Sequence, residues 1–295
     1  MERDELLRAQ WFSALTKLRT HLGDDLPLVG ALDQGFMFDG GRVPFLNRYK
    51  GIHRAARQRG PAALSIMTSY TSPYDDGETE TGLGYAYRAG DSGEADNRAL
   101  REAHASGVPI VYFVATRPGW FRAEYPCYVA ADDPVGRRVT IVRGVMTAVG
   151  EPELPGEEIA RRYLVREVRQ RLHQGRFRGV VLTAYRDRCT ICRLQEPRLL
   201  DASHIVADAD PAGVPEVTNG LSLCSIHHRA FDHNLVGISP DYDVHVAPRL
   251  LDEDDGPMLD LLKGFHGSHI AVPQQVRSRP DRELLARRYE EFTAA

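Results

Sequence analysis

The sequence predicts an α+β chain of two domains. An N-terminal curved β-barrel or sheet leads through a helical linker to a C-terminal unit built around paired cysteine and histidine knuckles. Three observations predict it. Short apolar or aromatic runs alternate with glycine-rich or acidic turns in the first half. An apolar stripe at helical spacing follows a Pro-Glu boundary at residues 151–155. Three of the four cysteines then fall at Cys189, Cys192 and Cys224.

A chain of 295 residues suits two domains at roughly 100–200 residues each, and either can bury a core without disulfides. The expected boundaries are 1–150, 151–178 for the linker and 179–295. Four cysteines, two of them as C-x2-C, point to metal binding in a reducing compartment. The charged, amphipathic start is no signal peptide, and no run of about 18 apolar residues exists. The expectation is a soluble cytoplasmic protein with no membrane partner. The net charge of -4 does not advertise a nucleic-acid binder, although phosphate contacts need only one basic face. Lysine occurs only at Lys17, Lys50 and Lys263, and the arginine-rich, Ala- and Gly-rich composition fits a GC-rich genome.

In chain order, Leu7, Trp11, Leu15 and Leu18 predict an amphipathic helix over 3–21, ended by Gly23 and Pro27. Runs at 36–38, 63–67 and 85–87 read as strands, 95–107 as a short helix closed by Gly107, and 108–146 as further strands. Cys127 stands among apolar neighbours and reads as a buried thiol. Ile159, Tyr163, Leu164, Val168 and Leu172 predict a helix over 157–174, with Gly175 as its end. Its polar face carries Arg161, Arg162, Arg166, Arg169 and Arg171, either solvated or tracking phosphates. Residues 199–206 and 221–224 read as strands around Asn219-Gly220, a turn signal, and helices are expected near 258–265 and 281–292.

Cys189, Cys192, Cys224 and His227 have the ligand types and paired spacing of a tetrahedral structural Zn2+ site. Four protein donors leave no open position, so this metal holds the fold. His204 lies within a strand-like run, where a side chain is held firmly. His228 and Asp232 lie four apart, so on a helix they share a face and can grip one ion. A neutral imidazole, an amide to orient it and a divalent ion are the parts that phosphodiester hydrolysis needs.

The pattern S-H-I, N-G-L-S-L-C and H-H-x3-D resembles the HNH (ββα-metal) nuclease motif. The resemblance implies His204 as general base and Asn219 as its orienting amide. It implies His228 and Asp232 as ligands of a catalytic Mg2+ or Mn2+. Where many such nucleases carry a metal ligand just before the base, this chain has Ser203; Asp201, on the same face of a regular strand, can stand in.

Upstream, KGIHR at 50–54, SIMTSYTSPYDD with GYAYRAGD between 65 and 91, and DNRAL with GVPIVYF between 96 and 113 resemble an SRA domain (PUA-type barrel). Such a module flips a modified cytosine out of the duplex. The resemblance implies Tyr74 and Tyr87 as stacking faces and Asp75 or Asp76 as acceptor of the cytosine amino group, the spacing favouring Asp76. Tyr85 shares a strand face with Tyr87, and His53 reads as structural or a phosphate contact. Together the two resemblances imply a modification-dependent restriction endonuclease acting on double-stranded DNA with 5-methylcytosine or 5-hydroxymethylcytosine. One such site cuts one strand, so a homodimer is expected, with the terminal helices as its contacts. The alternatives are a non-cutting reader, disabled at Ser203, and a nuclease indifferent to modification.

Overall fold

The computed structural model describes residues 2–47, 49–68, 70, 83–87, 92–146, 152–153, 173–208, 210–254 and 256–295. It forms two compact units, Met1–Gly175 and Arg176–Ala295.

The first unit starts with α1 (Glu2–Leu22), then β1 (Asp25–Pro27), β2 (Phe36–Phe38) and β3 (Gly41–Val43). β4 (Ile52–His53), β5 (Ser65–Met67), β6 (Leu83–Ala86), α2 (Ser92–Ala105), β7 (Ile110–Arg117), β8 (Trp120–Asp133) and β9 (Arg138–Arg143) follow. β10 (Val145–Met146) pairs with β11 (Pro152–Glu153). The main sheet runs β4-β5-β7-β8-β9-β6 with β1 on β8, and it curls into a half-barrel. All its pairs are antiparallel except β5 with β7.

β7 is buried along its whole length because the pleat sends alternate side chains into two cores. Ile110, Tyr112 and Val114 join Leu100 and Ala103 of α2. Val111, Phe113 and Ala115 join Leu7, Trp11 and Leu15 of α1. The apolar stripe of α1 is therefore spent inside its own unit. Gly23, at φ +87°, ends α1 in the left-handed region that glycine adopts freely. Cys127 is buried as expected, and burial followed by the nearby Glu124 pushes its thiol well up. His53 is also buried, against Trp11, a structural position.

The second unit holds α3 (residues 173–184) from Arg176 onward, then β12 (Leu200–His204), β13 (Gly220–Cys224), α4 (Ser225–Asp232), β14 (Val236–Ile238), β15 (Val244–Val246), α5 (Pro248–Leu251), α6 (Pro257–Lys263) and α7 (Arg282–Thr293). β12 and β13 are antiparallel, with His204 opposite Gly220. Asp281 caps α7 by accepting from the backbone N–H groups of Glu283 and Leu284. Leu285 is fully buried in the core of this unit, and Arg288 donates to the Phe231 carbonyl. The apolar face of α7 is thus also spent within its own unit, so neither terminal helix offers that face to a second copy.

Two expectations change. Gly175 is a buried position inside α3 and not a helix end; a Cβ there would lie 3.1 Å from Thr116 Cγ2 and from Arg122 Cζ. Gly220 is no turn residue: it opens β13 in extended conformation (φ -126°, ψ 138°) after the 3-10 turn Val217–Asn219. The arginines at 161, 162, 166, 169 and 171, like most of the helix expected over 157–174, lie outside the described residues. So do Tyr74, Asp75 and Asp76. Among the described residues no helix is long and apolar enough to cross a membrane.

Candidate active site and metal centre

The two knuckles converge. Cys189 and Cys192 lie in the turn before β12, Cys224 ends β13, and His227 sits in the first turn of α4. Their donor atoms all lie within 4.8 Å of one another. Cys192 and Cys224 sulfurs are 3.9 Å apart, and Cys189 and Cys224 sulfurs lie 3.6 and 3.1 Å from His227 Nδ1. Metal–thiolate bonds of about 2.3 Å at a tetrahedral angle put sulfurs roughly 3.8 Å apart, so the spacing fits. His227 Nε2–H donates to the Leu261 carbonyl at 2.9 Å, which in the neutral ring leaves the Nδ1 lone pair facing the sulfurs, free to ligate a metal. Hydrogen bonds from Cys189 and Cys192, joined by His227, drive the Cys224 thiol far down. Burial opposes charge on His227, yet hydrogen bonding to Cys189 and Cys224 raises it to about 10. Cys192 moves the opposite way to Cys224, its thiol pushed far up by hydrogen bonds to Cys189 and Cys224. This cluster can hold a metal, and Leu261 on α6 is a supporting partner that spacing alone does not reveal.

His204, at the end of β12, is half-buried. Its ring lies flat on Phe177 of α3, with centroids 3.9 Å apart and planes at 12°. Among the described residues Nε2 is buried with no hydrogen-bond partner. Burial holds the imidazole below the usual histidine range; His228 lowers it further, while Asp208 and Asp201 work the other way. A neutral ring at neutral pH is the form a general base needs.

Asn219 is fully buried, but its hydrogen bonds go to backbone. Its Nδ2 donates to the carbonyls of Val206 and Val214 at 3.0 and 3.1 Å, and its Oδ1 accepts from Val206 N–H at 2.9 Å. The Ile205 N–H donates to the Asn219 carbonyl at 2.9 Å. Asn219 therefore clamps the chain leaving His204, and any orienting effect on the imidazole travels through that backbone.

His228 and Asp232 share a face of α4, as their spacing implied, with Nε2 and Oδ2 3.4 Å apart. Asp201 Oδ2 approaches the other nitrogen, Nδ1, at 3.9 Å. Two carboxylates and an imidazole, all partly exposed, form a donor set that suits a hard divalent ion. As the side chains stand, the carboxylates reach opposite ring nitrogens, so one ion would join His228 to one of them. Among the described residues only the Cys/His group draws three or more such donors as close as 4.8 Å. Ser203 is buried and directed at its own strand's neighbour, donating to the His204 carbonyl at 3.5 Å, so it contributes nothing to this trio.

Sequence reasoning missed α3 as a part of the site. Phe177, Val181 and Tyr185 recur every fourth residue and pack on the β12–β13 pair beside Ala202. Arg178 sends Nη2 to the Pro197 and Leu200 carbonyls at 2.9 and 2.7 Å, and its Nε lies 3.3 Å from Asp201 Oδ1. The four-residue apolar spacing was readable; its destination was not.

In the first unit, Tyr87 is buried in the same core cluster as Tyr85, consistent with a shared face. The Tyr87 hydroxyl bonds to Asp132, and Arg101 Nε donates to it at 3.4 Å with the guanidinium 5.2 Å from the ring centroid. Tyr85 donates to the Met67 carbonyl at 3.4 Å.

A family model described as HNH endonuclease matches residues 189–239. The chain is also similar to a solved structure described as a modification-dependent TagI restriction endonuclease. The two are 17% identical, the alignment covers 82% of this chain and 85% of that one, and the TM-score is 0.33. No curated protein matches the chain. The matched segment spans both knuckles, β12, β13 and α4, so the chain carries an HNH endonuclease domain and is a nuclease, a phosphodiester hydrolase.

Proposed function

We propose that the protein is a modification-dependent DNA endonuclease. It flips 5-methylcytosine or 5-hydroxymethylcytosine into a pocket of its first unit and hydrolyses nearby phosphodiester bonds at a one-metal HNH site. The observation that supports this reading is the HNH match over 189–239, the segment that carries His204, Asp201, His228 and Asp232.

In this mechanism His204, neutral because burial disfavours its charge, takes a proton from water as that water attacks phosphorus. Mg2+ or Mn2+, held by His228 with Asp232 or Asp201, would polarise the phosphate and stabilise the leaving oxygen. Asn219 keeps the chain after His204 in place. The Cys189, Cys192, Cys224 and His227 set would hold Zn2+ and pin the hairpin to α4, apart from the chemistry.

In the reader, a flipped base needs π-faces and polar atoms on its pairing edge. Tyr74, Tyr87 and Asp76 supply these in our reading, with the Tyr87 ring fixed by Arg101 and Asp132. Double-strand cleavage by single-strand sites would take two copies.

The test is incubation with duplexes that differ only in the cytosine 5-substituent, with Mg2+ or Mn2+. We expect cutting of modified duplexes only, loss of cutting in His204→Ala with metal content retained, and loss of discrimination in Tyr87→Ala. Binding without nicking would favour a non-cutting reader. Equal cutting of all duplexes would favour a nuclease indifferent to modification.

A further inference from the structure

We propose that Phe177 is the positioning residue for the general base, its ring setting the plane and depth of the His204 imidazole. This inference rests on the nuclease reading above, in which His204 takes the proton.

A base must hold its ring within a fraction of an ångström, because a misplacement of about 1 Å can cost on the order of 100-fold in rate. In most hydrolases a carboxylate or amide hydrogen-bonded to the far ring nitrogen provides that constraint. The expected amide, Asn219, spends its side chain on the Val206 and Val214 backbone. Nε2 of His204 is buried without a hydrogen-bond partner among the described residues. What lies against the imidazole is the Phe177 ring, nearly parallel at 3.9 Å. An imidazole held in such a slot with no bond at Nε2 is oriented by shape and π-contact.

The slot itself is built to stay put. Val181 continues the same face of α3, and Tyr185, the residue after the helix, packs with it and donates to the Gly220 carbonyl at 3.3 Å. Arg178, next to Phe177, ties the helix to the start of β12 through the Pro197 and Leu200 carbonyls. Across the ladder from His204, Gly220 leaves the space: a Cβ there would meet Val181 Cγ2 at 2.3 Å and Phe177 Cζ at 3.1 Å. The Tyr185 bond and the close approach at Gly220 hold α3 on the strand pair at the height of His204, Arg178 holds it at the other end of β12, and Phe177 is where this packing reaches the base.

The test uses the metal-loaded full chain and the variants Phe177→Leu and Phe177→Met, which keep apolar bulk without a flat ring. NMR of 13C-histidine protein, with His204 assigned by its own variant, reads the stack directly. We expect an upfield ring-current displacement of the His204 ring protons in the parent, lost in both variants. Steady-state cleavage should fall at least about tenfold in kcat with KM within about twofold. Unchanged metal content and melting temperature within a few degrees exclude unfolding as the cause. A parent resonance with no ring-current displacement would overturn the proposal, as would variants that lose the displacement yet keep kcat. A parent that shows the displacement but nicks no duplex would sink the nuclease reading and this role with it.

Discussion

Replacing Gly220 by alanine separates two opposing effects of known sign. Its backbone is extended (φ -126°, ψ 138°), a conformation alanine adopts without strain, so stiffening the unfolded chain alone would stabilise by about 0.4–1 kcal/mol. The new Cβ, however, would lie 2.3 Å from Val181 Cγ2 and 3.1 Å from Phe177 Cζ, well inside contact. Overpacking of this kind costs about 1–3 kcal/mol, so the net expectation is a destabilisation of about 0.5–2 kcal/mol. Because the clash pushes α3 off the strand pair, cleavage should fall as well. Val181→Ala removes the Cγ2 atom, and the double variant should recover part of the loss, a coupling of about 1 kcal/mol. Trp11 and Trp120 both lie in the first unit, so intrinsic fluorescence does not report this transition. A urea titration read by far-UV circular dichroism and release of bound metal does. A Gly220→Ala protein as stable as the parent, or more so, refutes the close approach and the reasoning built on it.

Metal removal and acid probe the two units separately. Chelation, or Cys192→Ser, should unfold the second unit, since structural metal sites contribute on the order of 10 kcal/mol, comparable with a whole domain's stability. Tryptophan fluorescence from the first unit should stay native, and retained structure in the second would count against a structural metal. In the first unit, burial, opposed by a hydrogen bond to the Pro44 backbone, lowers His53 to about 4 from an ordinary 6.5. Below 6.5 the unfolded chain takes up a proton that the folded unit refuses until about 4. Stability should therefore fall with pH across that window, by about 3 kcal/mol in all. Trp11, with its ring centroid 5.9 Å from that of His53, is the probe, and His53→Gln should flatten the dependence. An unchanged slope in His53→Gln would remove His53 as the source.

Much of the second unit was legible because its signals are local. The C-x2-C and C-x2-H spacings mark turns that present two donors each, and the knuckles do converge. His228 and Asp232 share a helix face simply because they are four apart. The strand runs gave β5, β7, β8, β9, β12 and β13, and the glycines at 23 and 107 mark helix ends in the left-handed region. Gly175 and Gly220 misled for a common reason. Glycine signals both a backbone bend and a place where something else comes close, and only the neighbour decides which.

By itself the sequence determined which residue types are available and how they sit on their own strand or helix: a Cys/His set able to hold a metal, a strand histidine, and a helix with His228 and Asp232. Tertiary structure alone decided their partners. It sent the Asn219 amide to the Val206 backbone, put Asp201 and Asp232 on opposite nitrogens of His228, and laid Phe177 on His204. Apart from the local His228–Asp232 pair, those contacts join residues 13 to 27 apart in the chain. Periodicity holds only along one element, so it says which face a side chain is on and nothing about what arrives to meet it.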